Sequence, residues 1–144
     1  MNPIGTAEEL RTALQFAGGQ RLAVLSTVSP SNQSQSALMG VAVTPDFEIV
    51  FDTVKTSRKY ANLRVNPRVS LVIGCTSEIT LQYEGVATEL SGDELAKYLP
   101  LYFAAFPDGP GRQNWPGMTY FVVRPNWLRY CDYGQPRVIR EFIW

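Results

Sequence analysis

The chain has 144 residues, a length typical of one domain, and its 13 basic and 13 acidic residues leave a formal net charge of zero. The sequence contains no histidine, which excludes Ser-His-Asp and Cys-His nucleophilic catalysis, histidine-ligated zinc or iron, and axial histidine ligation of haem. The balanced charge argues against a dedicated nucleic-acid-binding protein, because such proteins normally carry a broad basic face.

The composition also bounds the surface and the location of the protein. Charged residues make up 18% of the chain, below the usual ~25%, so we expect a partner or a ligand to cover part of the surface. No apolar run approaches the ~20 residues that a membrane-spanning helix needs, and no signal peptide precedes the first predicted helix. Cys75 and Cys131 are too few for a disulfide scaffold, which favours a reducing, cytoplasmic location.

The first third of the chain predicts one helix followed by a β-meander. A capping box, Thr6-Ala7-Glu8-Glu9, begins a helix that Gly18-Gly19 ends, and we expect this helix to cover one end of the sheet. Strands are predicted over 22–28, 35–43 and 48–53. Gly40 interrupts the second strand; such a glycine marks either a bulge or the close approach of a ligand, and the sequence leaves both open.

The stretch from Thr53 to Ile73 carries most of the chemical information. It runs from a strand end into a short helix that Ser57 can cap and that an Asn-Pro pair ends. Arg58 and Lys59 lie in the first turn, where the helix macrodipole disfavours cations, and the region as far as Ser77 contains five basic residues and no acid. Free N–H donors, a hydroxyl and two cations together predict a phosphate site. The alternative is a solvated surface helix whose charges aid only solubility.

The second half of the chain predicts further strands around one longer helix. Strands are expected over 69–73, 79–90, 119–123 and 127–133, followed by an apolar segment over 138–144. A second capping box, Ser91-Gly92-Asp93-Glu94, begins the helix, within which Pro100 predicts a kink or a break. Arg124-Pro125-Asn126 predicts a turn between two of the strands. Trp115 lies in a Gly- and Pro-rich connection. Its side chain either plugs an apolar gap or forms an aromatic wall beside a ring-shaped ligand, and the sequence leaves both open.

The order strand, Thr-Ser-Arg-Lys, short helix, Asn-Pro-Arg-Val, strand resembles the pyridoxamine-5′-phosphate-oxidase-like family of FMN-binding split β-barrels. The resemblance extends from about Leu22 to Leu90 and more loosely to the C-terminus, and it is closer to the general-stress-protein-like branch than to the true oxidase. It implies a single domain over residues 1–144 that is mainly β with a few helices, built as a six-stranded antiparallel split β-barrel. It also implies FMN as the cofactor and a homodimer with the flavin at its interface. Several short strands joined by Gly- and Pro-rich turns independently favour a barrel.

The resemblance also implies roles for particular residues. The FMN phosphate would lie on Ser57, Arg58 and Lys59, with Thr53 or Thr56 adding a hydroxyl donor. The remaining cofactor contacts would be the backbone of Ala37, Leu38, Met39 and Gly40 beside the flavin ring, Asp52 and Thr53 on the neighbouring strand, and Thr80 with Gln82 on one face of a later strand. The partner subunit would contribute Trp115, Trp127, Arg129 and Arg137. From the residues alone, Met39 is equally a core filler, and Thr80 and Gln82 are equally solvent-facing sheet residues.

The substrate half of the resemblance is incomplete. Three positions at which pyridoxamine phosphate oxidase contacts its substrate read Ala42, Tyr102 and Ile139, and Arg137 alone is kept. We therefore expect an FMN-dependent oxidoreductase of unknown substrate, with catalytic residues not identified, that does not oxidise pyridoxamine phosphate. The alternatives are a non-catalytic flavin-binding redox or stress module and a relative of the same fold that binds the deazaflavin F420. We expect no metal, no nucleic acid and no membrane among its partners.

Overall fold

The computed structural model describes residues 3–144 as one curved antiparallel sheet with four helices. The helices are α1 (Ala7–Gly18), α2 (Arg58–Val65), α3 (Gly92–Ala105) and α4 (Gly109–Arg112). The strands are β1 (Leu22–Val28), β2 (Ser34–Gly40), β3 (Ala42–Val43), β4 (Ile49–Val54), β5 (Arg68–Ile73), β6 (Ile79–Glu89), β7 (Met118–Asp132) and β8 (Val138–Ile143).

The sheet closes into a barrel through the segment that forms β2 and β3. Neighbouring strands follow the order β2-β1-β5-β6-β7-β4-β3, with β8 added beside β7. The two ends of this order, β2 and β3, are separated in the chain by Val41 alone, so one continuous segment pairs first with β1 and then with β4. Counting that segment once gives six barrel strands. The barrel is split at the point where this segment leaves β1 and pairs with β4. The predicted six-stranded split barrel is therefore confirmed, with β8 as an additional strand.

Alternating side chains fill the barrel, and two helices cover it. The interior is a cluster that includes Leu25, Phe51 and Tyr83, each at most 2% exposed, as expected when alternate residues of each strand face one side. Helix α1 contributes fully buried alanines to this cluster and keeps its predicted capping box. Helix α3 packs on the outside of β4 and β7 in a second, aromatic cluster.

The turn predicted at residues 124–126 is wrong. Strand β7 runs through this region without interruption and pairs with β6 from Phe121 to Asp132. A register shift between Glu84 and Gly85 places Pro125 opposite Gly85 and Trp127 opposite Glu84, so Asn126 is the extra residue of a β-bulge. A Cβ on Gly85 would lie 2.4 Å from the carbonyl oxygen of Arg124, which explains the glycine.

The structure corrects the capping box predicted for α3 and excludes the break predicted at Pro100. Ser91 is the N-cap residue, but its side chain makes no capping hydrogen bond. The next residue, Gly92, has a φ of +57°, so the chain does not enter the helix with the geometry that a capping box requires. Pro100 lies inside the helix, which nevertheless continues to Ala105 without a break. The hydrogen bond that the proline removes would end at the exposed Ala96, where water can replace it.

Within residues 3–144, no helix combines the length and the apolar character needed to cross a membrane. Cys75 is exposed, Cys131 is buried, and both are free thiols.

Candidate functional site

The start of α2 is built by hydrogen bonds from the end of β4. Ser57 has an extended backbone and accepts a hydrogen bond at its Oγ from the backbone N–H of Tyr60 (3.3 Å), as predicted for the N-cap. The hydroxyl of the buried Thr53 lies 3.0 Å from the same Oγ. The first N–H groups of a helix have no partner inside the helix, so this end offers donors to an anion.

Arg58 and Lys59 face a cleft between α2 and the strand pair β1–β2. The cleft has a volume of about 280 Å³. Its walls are Leu25, Thr27, Gln35, Ser36, Ala37, Arg58 and Lys59. The structure therefore brings Ala37 together with both cations, as the resemblance implied.

Two residues that the sequence analysis did not single out shape this cleft. Gln35 accepts hydrogen bonds at its Oε1 from Arg58 Nε (3.1 Å) and from Asn62 Nδ2 (2.9 Å). Asn62 also donates to Thr27 Oγ1 at 2.9 Å and is only 4% exposed. Asparagine is a weak helix former, so its position inside α2 was the available signal that a tertiary contact fixes it. Together these bonds hold β2 and α2 at a set separation.

Lys59 is a partly buried cation in a cleft whose lining contains no acid. Burial lowers the pKa of its ammonium group from the ordinary value, because the charged form loses hydration. None of the ion pairs among residues 3–144 involves Arg58 or Lys59. The cleft thus has uncompensated positive charge, and a bound anion would compensate it.

The face of β2 that points away from the cleft forms part of the outer surface of the sheet. Because side chains alternate along a strand, Leu38 points away from the cleft that Ala37 lines. The register aligns Leu38 with Val24, then Val72, Gln82 and Arg129 on successive strands. We call the outer face the set of Leu22, Val24, Leu38, Val72, Gln82, Trp127 and Arg129. Three of its apolar residues are unusually exposed: Leu22 (53%), Leu38 (63%) and Val72 (42%).

Trp127 and Arg129 form a fixed aromatic and cationic element on this face. The guanidinium carbon of Arg129 lies 5.3 Å from the centroid of the Trp127 ring. Both side chains also donate to Glu141 of β8, Arg129 at 2.8 and 3.2 Å and Trp127 at 3.4 Å. Hydrogen bonding to the carboxylate raises the pKa of Arg129, so this guanidinium stays charged. Trp115 and Arg137 are exposed in the connections before β7 and β8.

The remaining predicted residues do not converge on the cleft. Asp52 lies on the α3 side of β4, where Arg112 Nη2 pairs with its carboxylate at 3.3 Å. Met39 packs against the barrel core. A Cβ on Gly40 would lie 3.0 Å from the ring of Phe106, so the side chain of Phe106 packs closely against this glycine. Thr80 donates its hydroxyl to the carbonyl of Ile73 at 3.3 Å.

Comparison with known proteins identifies relatives at the level of family and fold. A family profile described as "Pyridoxamine 5'-phosphate oxidase" matches residues 6–132. A comparison with curated proteins gives no match.

Solved structures share the fold at low sequence identity. The heme binding protein from Mycobacterium smegmatis superposes with a TM-score of 0.83 at 18% identity, covering 97% of this chain and 60% of that protein. A protein described as F420 Reductase gives a TM-score of 0.64 at 20% identity, with 79% and 93% covered. The General Stress Protein 26 from Bacillus anthracis str. Sterne gives 0.58 at 24% identity, with 85% and 91% covered. The chain thus spans less than two thirds of the M. smegmatis protein, and all three likenesses concern the fold.

Proposed function

The chain belongs to the pyridoxamine 5′-phosphate oxidase family, and on that premise we propose that it binds FMN and acts as an FMN-dependent oxidoreductase. The observation that carries this proposal is the cleft at the start of α2, where Arg58 and the partly buried Lys59 lie beside free helix N–H groups. A phosphate monoester is the simplest anion that satisfies two cations, a hydroxyl and helix N–H donors together.

The side chains around the start of α2 have distinct roles in holding FMN. Arg58 offers bidentate contact to phosphate oxygens, and Lys59 supplies a compact positive charge. Ser57 orders the helix start, and Thr53 orients Ser57. The backbone from Ala37 to Gly40 would flank the flavin ring. The bound flavin supplies the redox chemistry, while the protein positions it and tunes its potential.

The double variant Arg58→Ala/Lys59→Ala tests the phosphate site. We expect FMN binding to weaken by about 3–6 kcal/mol, because each charged hydrogen bond contributes about 1.5–3 kcal/mol; titration calorimetry measures this. Riboflavin, which lacks the phosphate, should bind weakly to the unmodified protein. Arg64→Ala/Arg68→Ala is the matched control, since it removes the same charge from the same acid-free segment outside the cleft. Equal FMN affinity in the two double variants would refute the assignment.

The same purified protein distinguishes the alternative cofactors and roles. The absorbance spectrum and the mass of the cofactor released on denaturation separate FMN from the alternative cofactor F420; one fold relative is described as F420 Reductase. Haem bound through an axial histidine is not available to a chain without histidine. Repeated reduction and reoxidation of the bound flavin would distinguish an oxidoreductase from a non-catalytic flavin module.

Pyridoxamine phosphate is not the substrate that this chain favours. Of the three substituted positions, Ala42 and Tyr102 are buried together in the aromatic cluster beneath α3, with exposures of 3% and 1%, and Ile139 lies on β8. A second phosphate would therefore meet packed aromatic rings where it needs cations. We expect no rapid reduction of the bound flavin by micromolar pyridoxamine phosphate in anaerobic stopped-flow experiments. Fast, saturable bleaching would contradict this expectation.

We also propose that two copies of the chain pair through the outer face. The exposed apolar residues of this face form the kind of surface that monomers rarely present to water. Trp127 and Arg129 lie on the same face and were predicted as contacts from the partner subunit. A symmetric contact would give each flavin an aromatic and a cationic neighbour from the other chain.

A further inference from the structure

A second, larger cavity lies at the other end of β4 from the proposed flavin site. It has a volume of about 530 Å³, within the range of small-molecule sites. Its lining comes from α1, the β3–β4 turn, the β7 bulge and the last residue: Leu10, Arg11, Leu14, Pro45, Asp46, Phe47, Glu48, Arg124, Pro125 and Trp144. Strand β4 has six residues, so about 20 Å separate the cavity from the start of α2.

The floor of the cavity is a turn in an unfavourable but firmly held conformation. Phe47 has a φ of +62°, which is rare for a bulky residue. Its carbonyl accepts a hydrogen bond from the buried Tyr83 hydroxyl at 2.8 Å, and its N–H donates to the carbonyl of Thr44 at 3.0 Å. The Thr44 hydroxyl also accepts a hydrogen bond from the N–H of Glu48 at 3.0 Å. Strained backbone that its surroundings hold in place is a feature of ligand sites.

The walls of the cavity are largely apolar and include two aromatic rings. Phe47 and Trp144 meet edge to face, with ring centroids 6.1 Å apart and an interplanar angle of 77°. Leu10 and Leu14 of α1 line the facing wall and are only partly buried. Trp144 is 49% exposed. An apolar group entering the cavity would remove this surface from water.

Two of the four charged lining residues already have partners. Arg124 pairs with Glu48 at 3.3 Å and with Glu94 at 3.2 Å. The hydroxyl of Tyr98 donates to both oxygens of Glu48, at 2.9 and 3.0 Å. Burial alone would lower the pKa of Arg124, but its contacts with Tyr98, Glu94 and Glu48 together raise it, so this guanidinium stays charged.

The other two charged residues, Arg11 and Asp46, have no ion pair or side-chain hydrogen bond within residues 3–144. They carry opposite charges, are both exposed to solvent, and line the same cavity. A ligand complementary to this lining therefore has one anionic group, one cationic group and an apolar body.

From this complementarity we infer that the cavity binds a free α-amino acid with a large apolar side chain. The carboxylate pairs with Arg11, the ammonium group pairs with Asp46, and the side chain packs against Leu14 and Trp144. The site is separate from the proposed flavin site, so it can be tested with or without FMN present.

Three ligands that differ by one charge test the inference. L-phenylalanine carries both charges, N-acetyl-L-phenylalanine lacks the ammonium group, and L-phenylalaninamide lacks the carboxylate. Tryptophan fluorescence excited at a wavelength that phenylalanine does not absorb, supported by calorimetry, follows binding. We expect saturable binding of L-phenylalanine and a loss of up to about fivefold for each analogue, the usual effect of one solvent-exposed ion pair.

Variants assign each charge to its residue. Arg11→Gln should remove the advantage of L-phenylalanine over the amide, and Asp46→Asn should remove its advantage over the N-acetyl compound. Lys97→Gln and Asp93→Asn make the same charge changes on α3, outside the cavity, and should leave all three affinities unchanged. The cavity-filling change Leu14→Trp should abolish binding. The inference is overturned if L-phenylalanine, L-leucine and L-tryptophan all fail to bind, or if Arg11→Gln and Asp46→Asn behave like their controls.

Discussion

Lys59 holds a positive charge at the start of a helix and in a partly buried cleft, two positions that disfavour a cation. Its folded-state pKa is lower than its unfolded value, so the unfolded chain binds the proton more tightly than the folded chain. The charge therefore destabilises the ligand-free fold at neutral pH, and stability should rise as the pH increases through the folded-state pKa. Such a cost is understandable if the charge serves to bind an anion.

Replacing Lys59 should therefore stabilise the empty protein while weakening FMN binding. We expect Lys59→Met to raise the free energy of unfolding of the FMN-free protein at pH 7 by about 0.5–1 kcal/mol, measured by urea denaturation. The difference from the unmodified protein should shrink as the pH approaches the unfolded value of 10.5. Lys55→Met, at an exposed neighbouring position, is the control and should have little effect. A destabilised Lys59→Met variant would show that this ammonium group makes favourable contacts in the empty fold.

The residues around Lys59 show what the sequence could predict at this scale. Ser57, Arg58 and Lys59 are adjacent in the chain, so local spacing was enough to place them together at the start of α2. Gln35 reaches the same cleft from a strand 23 residues away from Arg58, and no local pattern indicates that contact. The resemblance assigned Asp52 to the cofactor. In the structure Asp52 pairs with Arg112, and because the two residues are 60 positions apart, no local pattern indicates this contact either.

Among the elements, the two predicted capping boxes have the same residue pattern but different structures. At α1, Thr6 Oγ1 accepts from the N–H of Glu9 at 3.1 Å, and the Glu9 carboxylate accepts from the N–H of Thr6 at 2.8 Å. These bonds, with the help of Arg140, lower the pKa of Glu9. At α3, Ser91 makes no such bond because Gly92 adopts a left-handed conformation. A sequence pattern does not report a backbone angle that glycine adopts far more readily than other residues.

This difference predicts unequal effects of the two alanine substitutions. Thr6→Ala should lower the free energy of unfolding by about 1 kcal/mol, the usual cost of losing an N-cap side chain. Ser91→Ala, the matched change at α3, should alter it by less than about 0.5 kcal/mol. Urea denaturation at neutral pH measures both. Equal losses would mean that Ser91 caps α3 in solution.

Strand β7 shows a related limit at the level of elements. Arg124-Pro125-Asn126 contains residues typical of turns, yet the segment remains paired with β6 through a bulge. The deciding feature is Gly85 on the partner strand, which alone leaves room for the carbonyl of Arg124. Proline is tolerated in a strand at a bulge, and a pattern read along one strand cannot show what the opposite strand permits.

At the scale of the whole molecule, the barrel could be predicted more securely than its surfaces. Strand number and alternation follow from short-range patterns, whereas the closure through Val41 depends on which strands β2 and β3 meet. The same closure leaves the outer face with Leu22, Leu38 and Val72 exposed. Burying such a patch against a second copy would stabilise a dimer by removing apolar surface from water.

The last prediction concerns this pairing and its link to FMN. The double variant Leu22→Glu/Val72→Glu places four carboxylates in a symmetric contact, where like charges in a desolvated interface oppose association. Both side chains are exposed in the single chain, so folding should be unaffected. We expect the unmodified protein to sediment at twice its 16.1 kDa mass and the variant to sediment as a monomer that has lost most of its FMN. Val65→Glu, an exposed apolar position at the C-terminal end of α2, is the control and should remain a flavin-loaded dimer. A monomeric variant that keeps its FMN would place the flavin site within one chain, and an intact dimer would move the interface to a different face.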